Sequence, residues 1–114
     1  MNEAAGRLLC RLAEIPDPGS RGFEIDDFPG GRAIFLVRKG GLVAAYVNSC
    51  PHTGGPLDWV EHQFFDLDRQ YILCATHGAL FRLADGHCLA GPCKGKSLTP
   101  IAITVTAGEV RLAL

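Results

Sequence analysis

The chain is short of almost everything that would commit it to nucleic acid, a membrane or a helical fold. Eleven Lys and Arg balance twelve Asp and Glu, and the net charge of −1 has no block of one sign behind it. Without a basic face, neither nucleic acid nor an anionic lipid surface is expected as a partner. No apolar run reaches the roughly 20 residues of a membrane span. The opening MNEAAGRLLCRLAEI lacks a basic region followed by an apolar one, so no secretory signal is read there and a cytoplasmic location is expected. Repeats, low-complexity tracts and linkers are missing as well, and a single domain over 1–114 is expected. Helical periodicity is weak throughout. Only PLDWVEHQFFDLD is ambiguous enough to leave room for a short helix.

What is present is β patterning punctuated by turns. Fourteen glycines and seven prolines break the chain into short runs. RAIFLVRKG (32–40) and GLVAAYVNS (41–49) are rich in β-branched and aromatic residues and join through Lys39-Gly40-Gly41, the signature of a hairpin. QYILCA, ALFRLA, HCLAG and IAITVTAGEVRLAL supply further strands, with Asp85-Gly86 and Ala107-Gly108 as tight turns. About ten short strands in a sandwich or small barrel make an all-β fold the expectation.

Five cysteines, Cys10, Cys50, Cys74, Cys88 and Cys93, form an odd set in a reducing compartment. That is a poor disulfide framework and a reasonable inventory for a metal site. Cys50 and His52 lie one residue apart in NSCPHTGGPLDW, and Cys74 and His77 repeat the pairing in LCATHGALF. Each pair follows a predicted strand, so a rigid base aims each loop. Gly54, Gly55 and Gly78 would let backbone N–H groups come close to an anionic sulfur. Zinc accepts two Cys and two His, but structural zinc sites usually draw a Cys pair from one knuckle and a His pair from another element. Here each loop offers one of each. That division suits a two-iron centre in which Cys50 and Cys74 take one iron and His52 and His77 the other.

The two loops C-P-H-T-G-G-P-L and C-A-T-H-G-A-L-F closely resemble the cluster-binding loops of Rieske-type ferredoxins. DGHCLAGPC is similar to the third loop that covers the cluster in that family, and the likeness runs over residues 8 to 114. The resemblance implies three stacked antiparallel sheets. Their cluster-binding tip would be formed by loops at about 48–58 and 73–82, with the covering loop at about 85–96. It also implies one [2Fe-2S] cluster held by Cys50, His52, Cys74 and His77. Thr53, Gly54, Gly55, Gly78, Ala79, Phe81 and Pro92 would surround it. Pro51, Leu57 and Leu80 would help keep water away.

Respiratory relatives carry an extra cysteine in each loop. Gly55 and Thr76 stand at those places here, which removes that crosslink. High-potential relatives also place a serine and a tyrosine where this chain has Ala79 and Phe81. Hydrogen bonds to sulfur favour the more negative, reduced state, so their absence implies a low potential. The implied role is one-electron transfer without catalysis, in a monomeric ferredoxin between a flavin reductase and a terminal oxygenase. The alternatives are a small redox subunit resembling that of nitrite reductases, and a redox-sensing or structural metal domain. His62 and His87 read as surface residues, and Cys10 as a core residue of the first strand. Cys88 and Cys93 read as buried packing residues in preference to a disulfide. At least two of Trp59, Phe64 and Phe65 are expected to be core. Asp58, Glu61, Asp66 and Asp68 make the segment between the loops acidic, which favours transient docking to a basic partner.

Overall fold

A computed structural model describes residues 7–25, 32–51, 55–58, 60–75 and 78–113. His52, Thr53, Gly54, Trp59, Thr76 and His77 fall outside the described residues. Among the described residues nine strands form three antiparallel sheets of three: β1 (Leu8–Arg11), β9 (Glu109–Leu112) and β8 (Ile103–Thr106); β2 (Gly19–Ile25), β3 (Arg32–Lys39) and β4 (Leu42–Val47); and β5 (Ile72–Cys74), β6 (Ala79–Phe81) and β7 (Cys88–Ala90). The all-β expectation holds. So does the hairpin through Gly40 and Gly41, with Lys39 opposite Leu42.

The run Ile34-Phe35-Leu36-Val37 explains how the sheets stack. All four side chains are fully buried. A strand with both faces covered reads as continuous apolar sequence, whereas one with a wet face alternates. β3 is the middle strand of the middle sheet, and its side chains divide by parity. Phe35 and Val37, with Tyr46 of β4, share a core with Phe64, Ile72, Cys74 and Phe81. Leu36, with Ala45, packs on Cys10, Ile15 and Val110, while Ile34 packs on Leu112. The β2–β4 sheet therefore serves two cores, one toward the terminal strands and one toward β5–β7.

Two contacts lock the second of these cores. Phe64 stacks on Phe35 with centroids 4.2 Å apart and planes within 4°. Gly22 lies beside it; a Cβ there would touch the Phe64 ring at 3.4 Å. Ser20 holds the same crossing. Its hydroxyl accepts from the Phe64 N–H at 3.1 Å and donates to the His62 carbonyl at 2.6 Å. On the other side, the Tyr46 hydroxyl donates to the Leu83 carbonyl at 2.8 Å, tying the middle sheet to the β6–β7 turn.

No helix forms in the described part of 56–68, and the local chemistry says why. His62 and Arg69 have positive φ, at 70° and 57°, which interrupts a right-handed helix. The Asp66 carboxylate accepts from the N–H groups of Gln70 and Tyr71 at 2.9 and 3.2 Å, an Asx-type alternative to helical bonding. The segment crosses the middle sheet as a strap of turns, bridged to β5 through Phe65 and Ile72. Phe64 is core and Phe65 is half-buried against it, while Trp59, the third aromatic expected there, lies outside the described residues. A short 3₁₀ turn over Leu12–Glu14 is the one helical element among the described residues.

Candidate metal centre

β4 ends at Val47 and delivers the first loop. Asn48 clamps both of its limbs. The Asn48 side-chain oxygen accepts from the Leu57 N–H at 2.7 Å, and its Nδ2 donates to Asp58 at 3.0 Å. Inside this clamp the Cys50 N–H donates to the Gly55 carbonyl at 2.8 Å, closing the loop on itself. Neither Asn48 nor the structural use of Asp58 was foreseen from the sequence, where Asp58 counted as surface charge. An Asn at a strand end nine residues before a loop N–H was the available signal.

The second loop links β5 to β6. Cys74 is the last residue of β5 and stands directly opposite Ala79, the first of β6. The Gly78 N–H donates to the Cys74 carbonyl at 2.8 Å, and Gly78 has a φ of +74° that suits glycine. That N–H thus closes the turn. The two loops are joined directly by the Ala75 N–H, which donates to the Leu57 carbonyl at 2.9 Å.

The third loop follows β7 and lies against the second. A Cβ on Gly91 would meet Ala79 Cα at 2.8 Å, so only glycine permits this approach. Pro92 is exposed and Leu80 and Pro51 are half-buried, whereas Leu57, Ala79, Phe81 and Cys93 are fully buried. Cys93 Sγ comes within 3.6 Å of Cys50 Sγ.

Of the four expected ligands, the described residues include Cys50 and Cys74. Both are buried in one core with Leu57, Ala79, Phe81, Cys88 and Cys93, and no charged side chain is buried among the described residues. Two soft sulfurs in an apolar setting, each on a strand-anchored loop, suit thiolate ligation of iron or zinc. His52, His77, Thr53 and Gly54 lie outside the described residues. None of the five cysteines is disulfide-bonded, so Cys88 and Cys93 form no disulfide. The Cys88 thiol donates to the Ala90 carbonyl at 3.2 Å. Cys10 belongs to the other core, where burial pushes its thiol pKa up. His62 is exposed as expected, and its Nδ1 accepts from the Gly22 N–H at 3.0 Å. His87 faces Ser97 at 3.2 Å.

Residues 8–107 match the family described as Rieske [2Fe-2S] domain. The chain belongs to the Rieske [2Fe-2S] family. As a Rieske protein it carries a [2Fe-2S] cluster, a one-electron redox centre. Two solved ferredoxins share the fold. One is the Sphingomonas yanoikuyae B1 ferredoxin, 24% identical with a TM-score of 0.75, covering 96% of this chain and 98% of that one. The other is the ferredoxin of carbazole 1,9a-dioxygenase from Nocardioides aromaticivorans IC177, 23% identical with a TM-score of 0.72, covering 95% and 98%. The chain is also 33% identical, over 82 residues, to the cytochrome b6-f complex iron-sulfur subunit of Chlorobaculum thiosulfatiphilum. That match covers 72% of this chain and spans 39% of the length of that curated relative. Among the described residues, no helix is long and apolar enough to cross a membrane.

Proposed function

We propose that this Rieske protein is a low-potential ferredoxin of one domain over 1–114, passing single electrons from a flavin reductase to a terminal oxygenase. Cys50, His52, Cys74 and His77 hold its cluster in this reading, which supplies a reversible one-electron couple. The observation that carries it is the face of β6. Ala79 stands opposite Cys74, and Phe81 lies two residues on along the same buried face; neither side chain has a hydrogen-bond donor. The reduced, more negative state thus gains nothing from the two positions that serve high-potential relatives. That supports a potential toward the lower end of the roughly −150 to +300 mV Rieske range. Gly55, in place of a loop cysteine, also separates the chain from the disulfide-bridged respiratory branch.

Anaerobically purified protein should contain two irons and two labile sulfides per chain. It should give a rhombic EPR signal with a low average g on reduction. Voltammetry should put the couple below zero, and a flavin reductase should reduce the protein. A potential well above zero would remove the oxygenase-type role. Zinc without sulfide in natively loaded protein would leave only a structural metal domain.

One observation favours a fixed subunit as the second reading. Val60, Leu67 and Tyr71 on the strap are exposed, Leu67 completely. A permanent partner would cover such side chains. Co-purification at high salt with a second polypeptide would favour that reading.

A further inference from the structure

The chain lacks side-chain donors on β6, yet it brings a thiol to the site from a third direction. We propose that Cys93 donates an S–H···S hydrogen bond to the sulfur of Cys50, and so tunes the potential of the centre. The inference rests on Cys50 being a cluster ligand.

The two sulfurs are 3.6 Å apart, a non-bonded separation suited to a hydrogen bond between sulfurs. Geometry alone does not say which sulfur donates; ligation does. The sulfur that binds metal is the thiolate, so Cys50 has no proton to give and Cys93 is the donor. Both side chains are buried, Cys50 at 1% and Cys93 at 0% exposure. Water therefore does not compete for the bond, and the low local dielectric strengthens it. An S–H group is a weak donor, but an anionic acceptor strengthens the bond.

The loop leaves Cys93 little choice of position. The Cys93 carbonyl accepts from the Lys96 N–H at 2.8 Å, and the Lys96 carbonyl from the Cys88 N–H at 2.8 Å. The Lys94 N–H donates back to the Gly91 carbonyl at 3.2 Å. Gly91 presses the loop onto Ala79, with no room for a side chain between them. Cys93 thus sits at the head of a turn anchored to β6 and β7, facing a residue 43 positions earlier in the chain. On reduction one electron enters the centre, the charge on Cys50 sulfur grows, and the proton stays on Cys93. No bond breaks. The bond is stronger in the reduced state and holds the potential above the value the chain would have without it.

Cys93→Ala and Cys93→Ser test this in the loaded full-length protein. Cys93→Ala should keep its iron, labile sulfide and rhombic EPR signal, with the potential shifted down. Cys93→Ser, which restores a donor, should return the potential toward the wild-type value or beyond it. In wild-type protein, redox-difference infrared spectra should show an S–H stretch moving to lower frequency on reduction, and this band should vanish in Cys93→Ser. Unchanged potentials in both variants, or equal shifts in both, overturn the proposal and leave Cys50 as a ligand. If Cys93→Ala fails to load, the infrared band of the wild type decides, and its absence overturns the proposal. Loading of Cys50→Ser together with failure of Cys93→Ser would instead make Cys93 the ligand, overturning the reading on which the proposal rests.

Discussion

Gly91 and Gly95 lie in the same loop with nearly the same backbone, φ of +96° and +92°, and differ in what surrounds them. A Cβ on Gly95 meets nothing within 4 Å, while one on Gly91 lies 2.8 Å from Ala79 Cα and 3.2 Å from its N. Alanine at either position has the conformational cost of a positive φ, of order 1–3 kcal/mol. At Gly91 the added methyl also pushes on backbone that cannot rotate away, which adds about 1–3 kcal/mol of overpacking. Gly91→Ala should therefore be less stable than Gly95→Ala by about 1–3 kcal/mol, or roughly 3–15 °C in midpoint for a domain of this size. Anaerobic urea unfolding at matched iron content measures it, provided the slope m is unchanged. The variant should also retain less iron, because the added methyl pushes on Ala79, which stands opposite Cys74. Equal stability of the two variants would refute the idea that the third loop is seated by direct backbone contact on Ala79.

Ala79→Ser places a hydroxyl opposite Cys74 and Phe81→Tyr adds a phenol on the same face, so each should raise the potential; about 1.4 kcal/mol of preference for the reduced state is roughly 59 mV, readable by voltammetry. Cys50→Ser or Cys74→Ser should largely abolish iron binding, whereas His52→Cys or His77→Cys should retain a cluster of altered potential; normal iron content in Cys74→Ser would point to Cys88 or Cys93 as ligand. Tyr46→Phe should destabilise the fold by about 1 kcal/mol, because it leaves the half-buried Leu83 carbonyl without its donor. Burial and then the Asp85 charge push the Tyr46 pKa up to about 12 from its ordinary value of 10.0. Its raised pKa gives a contribution that is whole below pH 10 and lost as pH rises through about 12, so wild-type stability should fall more steeply than that of Tyr46→Phe over that interval.

Local pattern made much of this protein legible. A continuous Ile34-Phe35-Leu36-Val37 run, flanked by a glycine turn and a second β-rich run, specifies a doubly buried strand and its hairpin, because side-chain parity and turn chemistry act between near neighbours. The paired Cys and His at short spacing pointed to ligand loops and to the family, since a loop of five or six residues cannot carry its ligands far apart. The strap over 60–71 was less legible. Its aromatic and acidic residues leave a helix open on pattern, and the positive φ of His62, the Asx-type bonds of Asp66 and the stacking of Phe64 on Phe35 decide against it. Contacts between distant segments were beyond the reach of pattern altogether. Asn48 looks like any turn residue until Leu57 and Asp58 fold back onto it. Cys93 looks like a small packing residue, or a partner for nearby Cys88, until the third loop turns it toward Cys50. Spacing along the chain limits how far apart two near neighbours can be. For residues some forty positions apart it sets no useful limit, and there the stacking of sheets and the seating of Gly91 on Ala79 decide which thiol meets which.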